Sequence, residues 1–319
     1  MITTTSRIPA DLADQVYARV KPIVAGSIFL PHKEVFQDAV GLPGTEGIRV
    51  PSFSFLISHP TKGNALFDLG LRKGLSGYPP RMLDEMVSYF DAKCEEDVAD
   101  QFAQGNVRLE DIHTIILNHL HWDHIGNVAQ FNAAKVVIGA PARAYYESNL
   151  YPQSTRGSIP APVEGTEITY LDFSDSSSTY RLVAPFATFD RAVDFYGDGS
   201  VYVVDTPGHF PGHLSLVVRV APNVFVFLAG DVCHNRECYN PGQRVVSELN
   251  NEDLQVARET ARKLVKFNKE SDNTVVILAH EAHWLEDGMP LFPYDVREWI
   301  LQEIEKRRSG DEIYSEMTR

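Results

Sequence analysis

The stretch His119-Leu120-His121-Trp122-Asp123-His124 decides how this chain is read. It directly follows the apolar run Ile115-Ile116-Leu117, the end of an expected strand His113–Leu117. In extended backbone, residues two apart point to the same side, so His119 and His121 converge on one point. Asp123 and His124 come where the chain turns, and face a second point close by. Imidazole and carboxylate are the nitrogen and oxygen donors that Zn²⁺ takes. A lone His at a strand end is more often a satisfied polar residue. Four such donors within six residues are different. Burying them without a cation leaves desolvation and like-charge costs uncompensated. The six residues therefore read as a metal site.

Working outward, the remaining ligands are expected at other strand ends, and three sequences qualify. Thr206-Pro207-Gly208-His209-Phe210-Pro211-Gly212-His213 follows the apolar run ending at Asp205. Ala229-Gly230-Asp231 closes the run Val224–Leu228 with a carboxylate. Leu278-Ala279-His280 closes Thr274–Leu278 with an imidazole. Each alone reads as a cap or turn residue. As a set with the first cluster, they read as a metal centre.

The surrounding pattern gives strands at Pro22–Leu30, Val50–Ser58, Asn64–Leu69, Lys135–Gly139, Ser200–Asp205 and Leu214–Val220. Helical periodicity is expected over Ala10–Arg19, residues 80–104, Asn251–Phe267 and Pro293–Arg308. Strands alternating with helices predict an α/β layered protein with its site at strand ends. The chain reads as a single domain over 1–319, with residues 1–20 as an N-terminal extension. Residues 151–200, broken by Pro152, Gly157, Pro160, Pro162 and Gly165, read as a variable loop or insertion, and a pocket cover and an ordinary surface segment both fit.

The formal charge is −14, and no Lys/Arg-rich run is present. That disfavours nucleic acid as a partner. No apolar stretch is long enough to span a bilayer. The three cysteines, Cys94, Cys233 and Cys238, do not suggest a disulfide framework, which favours a reducing compartment. A cytoplasmic location is the expectation, and a homodimer is a compatible assembly.

The segments His119-x-His121-x-Asp123-His124, the second His of Thr206-Pro-Gly-His-x-Pro-Gly-His213, Gly230-Asp231 and His280 resemble, in order and spacing, the metal motifs of the metallo-β-lactamase-fold hydrolases. The likeness runs from about Val50 to His283, and Phe67-Asp68-Leu69-Gly70 is similar to an early Asp-x-Gly strand end of that superfamily. The resemblance implies a four-layer αβ/βα sandwich. It implies one metal held by His119, His121 and His213 and a second by Asp123, His124 and His280, bridged by Asp231. Two zinc ions are the implied cofactors, with iron, manganese or cobalt suiting the same donors. Asp68 would steady the ligand loop, and His209 is left out of the implied metal set.

The branch resembled most is the lactonase-like one, which opens small cyclic esters and whose fungal relatives open γ-lactam rings such as benzoxazolinone. The implied reaction is attack of a metal-bridging hydroxide on a lactone or lactam carbonyl, with Asp123 or Asp231 moving the proton. The alternative is thioester hydrolysis of the glyoxalase II or polyketide thioesterase type. One departure is visible. Quorum-signal lactonases usually carry a Tyr a few residues past the bridging Asp, whereas here the sequence is Val232-Cys233-His234, with Tyr239 further on. His234 is the candidate for that role. Trp122 reads as a core aromatic before a pocket wall. His283 and Trp284 read as pocket or cap residues, Cys233 as a small buried hydrophobe, and Tyr145, Tyr146 and Tyr151 as lid or helix-packing residues.

Overall fold

The computed structural model describes residues 7–147, 166–175 and 180–309, the side chain of Arg81 excepted. Two six-stranded sheets form the centre. The first runs β1 (Arg19–Pro31), β2 (Gly47–His59), β3 (Gly63–Phe67), β4 (Ile112–Ile116), β5 (Lys135–Gly139) and β6 (Ile168–Leu171), neighbours in that order. The second holds β7 (Arg181–Val183), β8 (Ala192–Asp194), β9 (Val201–Asp205), β10 (Leu214–Ala221), β11 (Val224–Gly230) and β12 (Thr274–Leu278), likewise in sequence order. Both are mixed. The β3 to β6 pairs and the β11–β12 pair are parallel, and the rest are antiparallel.

Period-two alternation explains how the sheets stack. Along β10, Leu216, Val218 and Val220 face the first sheet, where they join Phe53, Phe55, Phe67 and Ile116. Val217, between them, faces the other way, toward Phe227 and Val276. The helices, in chain order, are α1 (His32–Val35), α2 (Pro80–Ser88), α3 (Val98–Gln104), α4 (Arg143–Glu147), α5 (Leu254–Glu270), α6 (His283–Glu286) and α7 (Arg297–Ser309). Helix α5 buries Ala257, Ala261, Leu264 and Phe267, an i, i+4, i+7, i+10 stripe, on the outer face of the second sheet. Helix α3, capped by Asp97 through the backbone N–H groups of Ala99 and Asp100, lays Val98 and Phe102 on the outer face of the first. The result is the expected four-layer sandwich. Trp299, Ile300 and Ile304 of α7 join the core between the sheets.

The N-terminal expectation is not met. Residues 10–18 form no helix, and β1 begins at Arg19. This segment is fastened instead by Arg219, which donates to the Pro9 carbonyl at 2.7 Å and pairs with Asp11. The helical stretch expected at 80–104 is two helices, because residues 89–97 cross β1, where Ser27 bridges Lys93. The expected insertion at 151–200 falls partly outside the described residues. Its described part supplies β6, β7 and β8, the last strands of both sheets.

Candidate metal centre

Four strands of the two sheets deliver polar side chains to one edge. The chain leaves β4 through Leu117 and Asn118 into the His/Asp cluster. It leaves β9 into the loop 206–213, β11 at Asp231 and β12 at His280. His119, Asp123, His124, His209, Asp231, His234 and His280 are all buried there, and His121 is half-buried.

The ring orientations are fixed by what the outward nitrogens touch. His119 Nδ1 faces the Asn118 Oδ1. His124 Nδ1 lies 2.9 Å from Asp68 Oδ2, His280 Nδ1 lies 2.8 Å from the Pro51 carbonyl, and His209 Nδ1 lies 2.9 Å from the Asn250 carbonyl. Each acceptor takes an Nδ1–H, so each Nε2 turns inward with its lone pair. His121 presents Nδ1 instead, 3.0 Å from His209 Nε2, which is itself 3.2 Å from His119 Nε2. At the centre lies Asp231 Oδ2. His124 Nε2 and His234 Nε2 are each 3.2 Å away, His209 Nε2 3.5 Å, and His280 Nε2 3.6 Å. His280 Nε2 is also 3.4 Å from Asp123 Oδ2.

This arrangement fits a cation. The Nε2 lone pairs of His119 and His209 face one another at 3.2 Å, since each ring's proton is on Nδ1. His124 Nε2 and Asp231 Oδ1 are buried without any hydrogen-bond partner, a cost of about 1–3 kcal/mol each if left so. Donor atoms of His119, His121 and His209 lie within 4.8 Å of one another, as do those of Asp123, His124 and His280. Burial, then the neighbouring imidazoles, pushes His119 and His209 well below their ordinary range. Burial takes His121 to about 4. These rings are therefore neutral, as ligands must be. Burial opposes charge on Asp231, but His124, His280 and His234 outweigh it and hold the carboxyl well below the usual range.

His213 does not join them, contrary to expectation. Its Nδ1 is 2.9 Å from Thr206 Oγ1, and its Nε2 accepts the Asp231 backbone N–H at 3.0 Å. No lone pair remains for an ion. The loop 206–213 is fastened so that His209 points in. Asp253 and Glu252, at the start of α5, donate their backbone N–H groups to the carbonyls of Gly208 and His209. Gly208 has φ +128°, and a Cβ there would meet the Ala257 nitrogen at 2.2 Å. The sequence signal for His209 was its place in the same motif, four residues before His213.

Asp68 takes its expected supporting place. Its Oδ1 accepts the Asn118 backbone N–H at 2.7 Å while Oδ2 holds His124. Trp122 walls a cavity of about 420 Å³ that opens over Asp123, Asp231 and His234. Tyr239 is buried away from the cavity, its hydroxyl donating to Glu281 Oε1 at 2.8 Å. Neither His283 nor Trp284 lines the cavity. His283 lies 3.3 Å from Asp287, and Trp284 donates to the Val276 carbonyl at 3.0 Å. Cys233 is buried and free. Tyr145 packs on Phe210, with ring centroids 5.4 Å apart. Tyr151 lies outside the described residues.

Comparison with known proteins agrees with this geometry. Residues 47–280 match the family model described as "Metallo-beta-lactamase superfamily". Among curated proteins, the chain is 28% identical over 284 residues to "Cytochrome P450 monooxygenase mpaDE" of Penicillium roqueforti, covering 81% of this chain. It spans only 33% of that much longer protein. It is 31% identical over 183 residues to "Gamma-lactamase MBL2" of Gibberella moniliformis, covering 55% of this chain and 73% of that one. Among solved structures, a mutant of B. thuringiensis AiiA with N-decanoyl-L-homoserine bound at its active site superposes with a TM-score of 0.64 at 19% identity. The match covers 88% of this chain and all of that one.

Proposed function

We propose that this chain, which belongs to the metallo-beta-lactamase superfamily and is a metal-dependent hydrolase, opens a small cyclic ester or amide at a two-metal centre. The observation that carries this reading is the ring of inward-turned imidazole nitrogens around Asp231 Oδ2, set at the floor of a cavity sized for a small molecule. His119, His121 and His209 would hold one ion. Asp123, His124 and His280 would hold the other, and Asp231 would serve both. His209 thus replaces His213 in the expected ligand set. Zinc suits these donors. When bound, the ions supply Lewis acidity toward a carbonyl oxygen and a lowered pKa for water.

The residues of the chain do the rest. Asp123 lines the cavity and can accept a proton from the attacking water and return it to the leaving heteroatom. His234 follows Asp231 by three residues, near where quorum-signal lactonases usually carry a Tyr. It lines the cavity with Nε2 3.2 Å from Asp231 Oδ2 and 3.3 Å from Asn250 Nδ2, and with a proton on Nε2 it would orient the ring carbonyl or steady charge on its oxygen. Trp122, Phe90 and Leu249 line the cavity and shield the reacting bond from bulk water. A γ-lactamase among the relatives fits a carbonyl ring as substrate, and the AiiA structure that shares this fold holds N-decanoyl-L-homoserine at its active site.

The test is metal content together with turnover of acyl-homoserine lactones, simple γ- and δ-lactones, benzoxazolinone and S-lactoylglutathione. The expected result is about two metals per chain and hydrolysis of at least one cyclic substrate. Two metals with turnover of the thioester alone would replace this reading by the thioesterase one.

A further inference from the structure

The wall of the cavity carries a charge pattern that the floor does not require. Glu34, Glu85 and Glu252 line it, contributed by α1, α2 and the segment preceding α5. Among the described lining residues none is Lys or Arg. Between these acids stands an aromatic face. Tyr89 and Phe90 meet edge to face at 4.8 Å between centroids, and Phe90 meets Trp122 at 5.6 Å. Tyr89 donates its hydroxyl to Glu34 Oε1 at 2.6 Å, so this carboxylate is held beside the ring rather than swinging free. Lys33 holds its Nζ 5.4 Å over the Tyr89 ring but does not line the cavity.

Carboxylates set among aromatic faces are the environment in which amines and quaternary ammonium groups are recognised, because ring quadrupoles and carboxylates attract the same charge. A chain with a formal charge of −14 adds a long-range field of the same sign. An anionic arm meets the opposite. We infer that the cavity selects its ring substrate by charge, favouring one whose substituent is neutral or cationic, best an amine or quaternary ammonium, and rejecting one that bears a carboxylate. This rests on the ring-opening reading above, and it names the substituent class that reading leaves open. Glutathione and acyl-carrier thioesters, which are anionic, fall on the rejected side.

Three γ-butyrolactones of equal arm length, ending in trimethylammonium, methyl or carboxylate, serve as substrates of the metal-loaded full chain. Their cyclic-ether analogues, which cannot be hydrolysed, serve as binding probes in titration calorimetry. The expected order in kcat/KM and in affinity is cationic, neutral, anionic. Partly exposed carboxylates in high dielectric should give about a tenfold spread between the charged pair at low salt, shrinking to about twofold to threefold near 0.5 M salt. In the E34Q/E85Q/E252Q triple variant the spread should collapse toward one. Equal or reversed ranking, a spread that survives in the triple variant, or failure of all three ethers to bind overturns the charge inference. If the ethers bind in the expected order but no lactone is opened, the ring-opening reading fails while the charge selection stands.

Discussion

His209 and His213 sit four residues apart in one glycine- and proline-rich loop, and they do different work. His209 turns Nε2 toward His119 and His121. His213 stands behind Asp231 and accepts its backbone N–H. His209→Ala should lower the bound metal from about two to about one per chain, measured by elemental analysis after reconstitution. His213→Ala should retain two metals while weakening their affinity about 10- to 100-fold, the usual cost of losing a group that positions a ligand. The reverse pattern would restore His213 to the ligand set. Gly230 is the second residue whose identity is dictated locally. It sits at φ +56°, and a Cβ there would come within 1.8 Å of Asn118 Nδ2. Asn118 in turn bonds the Leu214 carbonyl and His119. Gly230→Ala should therefore cost about 2–4 kcal/mol and disturb His119, seen as a lower melting temperature together with metal loss. A fully loaded, equally stable variant would show that the Gly230 turn is not under this constraint.

At the scale of elements, α5 links packing to the site. Its stripe of Ala257, Ala261, Leu264 and Phe267 is buried on the second sheet, and Thr260 donates to the Pro207 carbonyl at 2.7 Å. Leu264 lies about one turn from that contact. Leu264→Ala should destabilise by about 2–5 kcal/mol as a cavity mutation, yet retain both metals at low temperature, since the backbone fastenings of the loop, at Glu252 and Asp253, lie at the start of the helix. Thermal unfolding and metal analysis on the same sample check this. Elements were legible in proportion to their regularity. Strands β9, β10 and β11 stood out as apolar runs buried almost throughout, and α5 by its sustained amphipathic period. Residues 10–18 misled because a short polar stretch is held by tertiary contacts to Arg219 rather than by its own propensity. The break between α2 and α3 was hidden because Lys93 pairs with Ser27 across a long sequence separation. The cluster His119 to His124 could be read from sequence because its donors are adjacent. Choosing between His209 and His213 could not, because it depends on how the loop is tied to α5.

For the whole molecule, two sheets and their flanking helices converge on a centre where imidazole nitrogens crowd one another and buried polar atoms lack partners when no cation lies among them. The stability of this domain rests on its sandwich core and on that centre. Metal binds the folded chain and not its scattered ligands, so it stabilises by mass action, about 2.7 kcal/mol at a hundredfold excess over Kd. A chelator should lower the melting temperature by about 5–10 °C, and added zinc should restore it. An unchanged melting temperature after verified metal removal would mean that the donors are held apart by the fold alone.

The anchoring of His209 to the Asn250 carbonyl has an evolutionary side. Glu34, Glu85, Tyr89 and Phe90 hang from segments that hold no proposed ligand, so the chain can exchange them and change what it accepts while its metals stay in place. The stretch from Leu249 to Glu252 has no such freedom. It lines the cavity and at the same time grips the backbone and ring of His209. Drift in substrate preference is thus cheap on one side of the cavity and tied to metal retention on the other. Descendants of this sequence should diversify first around α1 and α2, and last between residues 249 and 252.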